Sequence, residues 1–421
     1  MQRRYDIDAL RALAFVLLIL YHCAMLYVAD WGWHLKSSHL SEPLQIPMLF
    51  VNRWRMDLIF LISGLSVHFL LRGTSLGRFV VQRSWRLLLP LTFGCLVIVP
   101  IQPYAQGVAN GLVEPGFVDF LLRYYQFQPW PKGAFDGWEY GFTWNHLWYL
   151  IYLWVYTMVF AAVLPLFRNG VGRRLLSLFT GLRGWKLLIL PALPLAFYTM
   201  TLAPLFDETG DLIHDWYRHA MYFTVFLYGY WIGNDAGLWA ELTRLRKWSL
   251  SLALGLFGFY LSLVLLIPEQ IPDWLQNSVW LLRNLYVWFA LTAILGWGHA
   301  LLNRPFRWLP WATEAVYPWY VLHQSLIVLI AYWILPLHFG PISEPAIVLS
   351  GTVAGCFVLH EIIRRVPVLR PVFGLKGKRR SAVARAARTG ADRSVAGVAS
   401  DTAVTTTAVI DVTRPAATDM A

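Results

Sequence analysis

Ten stretches of about 20 mostly apolar residues follow one another along the chain, at 8–28, 48–71, 87–104, 146–167, 187–205, 217–238, 248–267, 279–302, 315–336 and 345–363. About 20 such residues are what an α-helix needs to cross a bilayer. Only 14% of the 421 residues are charged, and mean hydropathy is +0.50, too little charge for a soluble surface of this length. The chain is therefore expected to be an all-α, polytopic membrane protein of about ten transmembrane helices. The third stretch carries Pro90, Pro100 and Pro103 and the fifth carries Pro191 and Pro194. Proline is tolerated in a spanning helix where neighbouring groups re-satisfy the freed backbone.

The loops set the orientation. Basic residues flank alternate stretches: Arg3 and Arg4; Arg72, Arg78, Arg83 and Arg86; Arg168, Arg173, Arg174, Arg183 and Lys186; Arg244, Arg246 and Lys247; Arg304 and Arg307; Arg364, Arg365 and Arg370. The intervening loops are acidic or nearly neutral, as at Asp207, Glu208, Asp211 and Asp215, or at Glu269 and Asp273. The positive-inside rule puts the basic loops and both termini in the cytoplasm, a multi-pass topology in the inner (cytoplasmic) membrane. The net charge of +11 then reflects topology and calls for no nucleic-acid partner. Arg3 and Arg4 before an apolar run resemble a signal peptide, but no small-residue cleavage site follows and the segment is long enough to span. Cys23, Cys95 and Cys356 all fall inside apolar stretches without CxxC spacing, as packing residues do.

A membrane domain over 1–373 and a tail over 374–421 are expected. The tail opens with Lys376, Lys378, Arg379, Arg380, Arg385 and Arg388, a run that favours anionic lipid headgroups. From Val395 it is rich in Ala, Thr and Val without an aromatic residue, a composition that favours disorder. The longest loop outside the basic side, 105–145, holds Trp130, Phe135, Trp138 and Tyr140 among Gly and Pro. It fits either a cover for a sugar-like substrate or a re-entrant interfacial loop.

Ionisable groups inside spanning helices cost roughly 2.5–3.5 kcal/mol each on insertion scales, so each is a candidate for function. Arg11 and His22 are separated by close to three helical turns, which puts them on one face roughly 16 Å apart. A cation at the cytoplasmic mouth with an imidazole deeper in suits an anionic ligand arriving from the cytoplasm; a snorkelling arginine and a core histidine fit the same spacing. In the next stretch Arg53, Asp57, Gly64 and His68 share a stripe, Arg53 and Asp57 suit an ion pair, and Ser63-Gly64 offers a small surface for close helix approach or for a ligand. Tyr317, Tyr320, His323 and Gln324 form a polar arc in the ninth stretch, and Arg283 and Asn284 lie in the eighth. His360, Glu361 and Arg364 suit a structural cap at the end of the tenth. His34 with His39 and His214 with His219 are five apart, which suits no helical metal site, so no metal is expected. A secondary transporter or flippase for an anionic or glycosidic solute would also carry charges at this depth. A structural or signalling role is the third reading, and the residues alone leave all three open.

Five ordered motifs narrow the choice: Asp8-Ala-Leu-Arg11, then ten residues, then His22; Arg55-Met56-Asp57 running to Ile62-Ser63-Gly64; Arg83-Ser-Trp-Arg86 followed by Pro90; His146-Leu147-Trp148-Tyr149-Leu150; and Tyr317-x-x-Tyr320-x-Leu322-His323-Gln324. Together, over roughly residues 5–370, they resemble the acyltransferase type 3 superfamily of integral membrane acyltransferases. The Arg-Met and His-Leu-Trp contexts are most similar to its succinyltransferases of periplasmic glucans. The resemblance implies acyl transfer, acetyl or succinyl, from a cytoplasmic acyl-CoA (acetyl-CoA or succinyl-CoA) to a hydroxyl of a glycan outside, with acyl-CoA as co-substrate and no permanently bound cofactor. It implies His22 as general base or acyl carrier, and Arg11, Arg83 and Arg86 on the CoA phosphates. Arg55, Tyr320 and His323 would stabilise an oxyanion or orient the acceptor, with Asp57, Ser63, His146, Trp148, Tyr317 and Gln324 as further binding residues.

Overall fold

The computed structural model describes residues 3–167, 169–233, 235–266 and 273–377. Arg168, Glu269 and the tail from 378 onward, with its basic run and its Ala/Thr/Val-rich end, lie outside the described residues. Met1–Leu375 form one compact unit and Lys376–Ala421 a second.

The described residues are helical apart from loops and one isolated bridge between Val28 and Ser41. Helix α1 is Tyr5–Ala24; α2 (Gln45–Asn52) and α3 (Arg55–Leu71) make one span after a long loop. Next come α4 (Leu76–Phe93), α5 (Ile101–Ala109), α6 (Phe117–Tyr124) and α7 (Trp148–Phe167). Helices α8 (Gly170–Thr180), α9 (Trp185–Ile189) and α10 (Ala192–Thr201) follow, then α11 (Trp216–Ile232), α12 (Ala236–Leu266) and α13 (Asp273–Leu302). The chain continues through α14 (Leu309–Ile334), α15 (Ser343–Arg365) and α16 (Leu369–Val372).

Among the described residues seven helices are long and apolar enough to cross a membrane, or eight if the pair Gly170–Thr180 and Trp185–Thr201, bent by 113°, is one span. The protein is thus a multi-pass membrane protein. The stretch 217–238 becomes α11, of only 17 residues. The stretch 248–267 is the far part of the 31-residue α12 and ends beyond the described residues.

The proline-rich third stretch runs as one 34-residue span, Leu76–Ala109. It absorbs its prolines through a π turn at Gly94–Ile98, closed by the Val99 N–H donating to the Gly94 carbonyl at 2.8 Å. Pro103 has no N–H to offer the Val99 carbonyl, so Gln102 N–H takes it at 2.8 Å. The Ile98 carbonyl is satisfied instead by the Ser325 hydroxyl at 2.8 Å. A bend in one helix is in this way tied to a polar residue of α14.

Lipid removes the hydrophobic drive between helices, so close approach and interhelical hydrogen bonds carry their association. The contact of α3 with α11 is made by two glycines. A Cβ on Gly64 would run into the Phe226 carbonyl, and one on Gly229 into the Leu61 carbonyl. This is the close approach that Ser63-Gly64 suggests in the sequence. Helix α1 packs against α14, α13 and α3. It is anchored to α13 by Asp6, fully buried, which accepts from the Arg4 guanidinium at 2.7 and 3.0 Å and lies 2.7 Å from His299 Nδ1. The three cysteines are free and buried.

Candidate active site

Three of the chain's histidines, His22, His146 and His323, meet where α1 lies against α14. His22 Nδ1 is 2.8 Å from His323 Nε2. On its other edge, His323 Nδ1 is 2.9 Å from the Tyr320 carbonyl and 3.1 Å from the Trp319 carbonyl of its own helix. A carbonyl only accepts, so the hydrogen of neutral His323 sits on Nδ1 and its Nε2 offers a lone pair. His22 Nδ1–H then donates to that lone pair, which leaves His22 Nε2 unprotonated. The ring planes are 16° apart with centroids at 5.1 Å, as for two imidazoles joined edge to edge. Trp33, from the loop after α1, has its plane 15° from that of His22 at 6.3 Å.

His146 enters the same cluster from the 3₁₀ turn Asn145–Leu147 that starts α7. Asn145 has φ 42°, a left-handed conformation that asparagine tolerates. His146 Nε2 donates to the Val321 carbonyl at 3.1 Å, its Nδ1 accepts from Gln102 Nε2 at 3.3 Å, and its ring stands edge-on to His323 at 5.1 Å. The Tyr320 hydroxyl donates to the His146 carbonyl at 2.6 Å. Its hydrogen is therefore committed to the backbone and not aimed at a reacting oxygen.

Around the histidines lies a buried amide network. Gln102 Oε1 accepts from Asn145 Nδ2 at 2.9 Å and from Gln324 Nε2 at 3.0 Å, and Gln102 Nε2 donates to Ser325 Oγ at 2.7 Å. Gln324 Nε2 is also 3.0 Å from His34 Nε2, and His34 Nδ1 is 2.8 Å from Gln106 Oε1. Gln324 Nε2 therefore donates to an unprotonated His34 Nε2, and His34 Nδ1–H donates to Gln106. Asp136 follows, 3.5 Å from His34 Nδ1 and 66% exposed. A polar track thus runs from the histidines to the surface at the end of the bundle away from Arg3 and Arg4. Loop 105–145 closes it, with Trp130 and Phe135 buried in its own small aromatic core and Tyr140 exposed.

At the other end a cavity of about 440 Å³ is lined by Arg3, Arg4, Arg11, Arg83 and Arg86 with Asp8, Tyr149, Tyr317 and Tyr320. Arg11 Nη2 donates to Ser66 Oγ at 2.6 Å, and its Nη1 is 3.7 Å from Asp8 Oδ1. The Arg83 Nε is buried without a partner among the described residues. Tyr317 donates to the Arg86 carbonyl at 3.0 Å, and Ser63 Oγ lies 2.5 Å from the Tyr149 hydroxyl. Tyr320 belongs to this wall, and His323 follows three residues later, about 4.5 Å further along the helix axis. The cavity thus leads toward the histidine pair.

Arg55, Asp57 and Trp148 line a separate, smaller cavity. The Arg55 guanidinium sits 3.4 Å over the Tyr21 ring, beside His22, and donates to Asn52 Oδ1 at 2.7 Å. The expected ion pair between Arg53 and Asp57 is not formed. Arg53 reaches the Tyr260 hydroxyl at 3.4 Å, while Asp57 Oδ1 is buried without a partner. Arg53 lies in the two-residue break between α2 and α3, so the four-residue spacing is not carried by one helix. Sequence reasoning missed Trp33, His34, Gln102, Gln106 and Asn145. Only the polarity of Gln102 within the apolar stretch 87–104 pointed to any of them. The expected cap at the end of α15 is present: Arg364 Nη1 and Arg365 Nη2 each donate to Glu361 at 3.0 Å. Among the described residues no group of three or more His, Cys, Asp or Glu converges as a metal site.

Residues 4–361 match the family model described as "Acyltransferase domain". Glucans biosynthesis protein C of Escherichia coli O6:K15:H31 (strain 536 / UPEC) is 22% identical over 398 residues, covering 89% of this chain and 95% of that protein. The protein of the same name from Escherichia coli (strain K12) is also 22% identical over 398 residues, with the same coverage. No solved structure matches the chain.

Proposed function

The chain belongs to the acyltransferase family whose model covers residues 4–361, and from that premise we propose that it moves an acetyl or succinyl group from acyl-CoA to a glycan hydroxyl. The names of the similar E. coli proteins refer to glucan biosynthesis, which supports a glycan acceptor. The loop charges support an inner-membrane protein with the arginine-lined cavity facing the cytoplasm and the Gln324–His34–Asp136 track facing outward. Donor and acceptor then approach the histidines from opposite sides.

The observation that carries this reading is the free Nε2 lone pair on His22, held by His323, which follows three residues after Tyr320 in the wall of the arginine-lined cavity. Arg11, Arg83 and Arg86 would bind the CoA phosphates, for which a guanidinium is suited, and the tyrosines would flank the thioester. His22 Nε2 takes the proton from the acceptor hydroxyl as its oxygen bonds to the thioester carbonyl carbon. The carbon–sulfur bond breaks, and the CoA thiolate leaves with the proton held on His22 Nε2. The charge that His22 acquires in between is shared with His323 Nε2, a pure acceptor. In a second version of the same chemistry, His22 Nε2 attacks the thioester carbonyl and expels the CoA thiolate; the acceptor hydroxyl then attacks the acyl carbon, the bond to His22 Nε2 breaks, and that nitrogen takes the hydroxyl proton. Arg55, held beside His22 on Tyr21, would orient the acceptor.

The test is transfer by the purified chain in liposomes supplied with labelled acetyl-CoA or succinyl-CoA. The expected result is an ester on the glycan that disappears with His22→Ala. Full transfer by a folded His22→Ala protein would refute the assignment. Mass spectrometry of glycans from a deletion strain separates this reading from transport: loss of an ester substituent supports transfer, and loss of the whole glycan opposes it.

A further inference from the structure

A cavity of about 200 Å³ between α3, α11 and α13 is lined by Arg53, Arg55, Arg218 and Arg283 together with Asp57 and Glu208. Arg218 donates to Glu208 at 3.0 Å, which leaves three guanidinium groups and one carboxylate. Among the described residues none of these three arginines has a carboxylate partner. Arg283 donates to the Tyr217 hydroxyl at 2.8 Å, Arg55 to Asn52 Oδ1 at 2.7 Å, and Arg53 to the Tyr260 hydroxyl at 3.4 Å. The Nε of Arg53 and of Arg55 and the Oδ1 of Asp57 are buried with no hydrogen-bond partner, and Asp57 itself is only 4% exposed.

Three guanidinium groups without a carboxylate partner, two of them with a buried unpartnered Nε, and a carboxylate with a buried unpartnered oxygen line this one cavity and call for a ligand that satisfies both. Cations in excess call for an anion, and the forked guanidinium suits phosphate or carboxylate. The lone acceptor, Asp57 Oδ1, calls for a hydroxyl beside that anion. The geometry points to a binding site here for an anionic group, a phosphate ester or a carboxylate, that carries a neighbouring hydroxyl. Arg53, Arg55 and Arg283 hold the anion, and Asp57 accepts from the hydroxyl. This chemistry is offered by a soluble acidic polyol and by a glycerol-type lipid headgroup alike.

The experiment uses the full chain in phosphatidylcholine nanodiscs and needs neither acyl donor nor acceptor, so its outcome is independent of the transfer reading. Glycerol 1-phosphate is titrated by calorimetry, and retention of phosphatidylglycerol is followed by native mass spectrometry. Saturable binding of glycerol 1-phosphate, weakened about tenfold or more by Arg53→Gln and by Arg283→Gln, supports the site with a soluble ligand. Arg283→Lys keeps the charge and should fall between wild type and Arg283→Gln, which separates lost recognition from lost folding. Asp57→Asn should bring glycerol 1-phosphate closer to inorganic phosphate in affinity. Selective retention of phosphatidylglycerol without binding of glycerol 1-phosphate, abolished by Arg53→Gln, supports the site with a lipid headgroup. Absence of both, or binding that Arg53→Gln and Arg283→Gln leave unchanged, overturns it.

Discussion

His22 Nδ1 and His323 Nε2 lie 2.8 Å apart although 301 residues separate them in the chain. Because the far nitrogen of His323 is committed to two carbonyls of its own helix, the direction of the bond between the imidazoles is fixed. The basic nitrogen of the pair is then His22 Nε2, and no other.

Substituting His22 by Ala or Gln should lower the rate of transfer by about 10²–10⁴-fold, the usual contribution of a positioned base. His323→Ala should lower kcat while leaving the KM for acyl-CoA near its wild-type value, since His323 orients His22 and lies beyond the arginine-lined cavity. A His323→Ala protein with unchanged kcat in steady-state assays would show that the bond has no part in the chemistry.

Arg11→Ala and Arg83→Gln remove charge from the cavity that ends at Tyr320. Losing a charged hydrogen bond costs about 1.5–3 kcal/mol, so each should raise the KM for acyl-CoA about ten- to hundredfold. Binding of a non-hydrolysable acyl-CoA analogue by calorimetry checks this apart from turnover. Equal affinity in both variants would remove these arginines from donor recognition.

The close contact of α3 with α11 predicts a stability effect distant from the chemistry. Gly64→Ala and Gly229→Ala each insert a methyl group against a backbone carbonyl, and overpacking of this kind costs about 1–3 kcal/mol. Both should lower the midpoint of thermal unfolding in detergent. Gly255→Ala, where an added Cβ meets nothing within 4 Å, should leave that midpoint near wild type.

Gln324 links α14 to His34 of the loop after α1. Gln324→Leu leaves His34 and Gln102 short of a partner, so amide hydrogen exchange should rise over residues 28–41 with smaller change in α14 itself. If the loop is the acceptor's side of the site, the KM for glycan should rise in the same variant. Exchange indistinguishable from wild type would mean that Trp33 and the Val28–Ser41 bridge hold the loop without Gln324.

What the sequence discloses here follows from what is local. Apolar length identifies spans, and helical period puts Arg11 and His22 on one face, with Arg11 reaching the cavity and His22 the histidine cluster. The arginine-lined cavity was half legible, since Arg11, Arg83 and Arg86 stand in basic flanks. What period cannot give is which helices touch. The pairing of His22 with His323, the turn of His34 back onto Gln324, and the choice of Tyr260 over Asp57 by Arg53 depend on contacts between elements far apart in the chain. The third stretch, like the fifth, is weakened in the sequence by its prolines. It is intact because its irregular backbone is answered by a side chain from α14.

That irregularity also works as a gear. A π turn holds one residue more than the helix around it, and each residue turns the helix by about 100°. Removing a single residue between Gly94 and Ile98 would let the segment relax into ordinary helix and swing everything after it around the axis. Gln102 would then leave Asn145, His146, Gln324 and Ser325 together. The extra residue in this turn therefore sets the angular register by which one helix addresses two separate parts of the chain. A deletion there should cost the histidine cluster its surroundings without touching any residue in it.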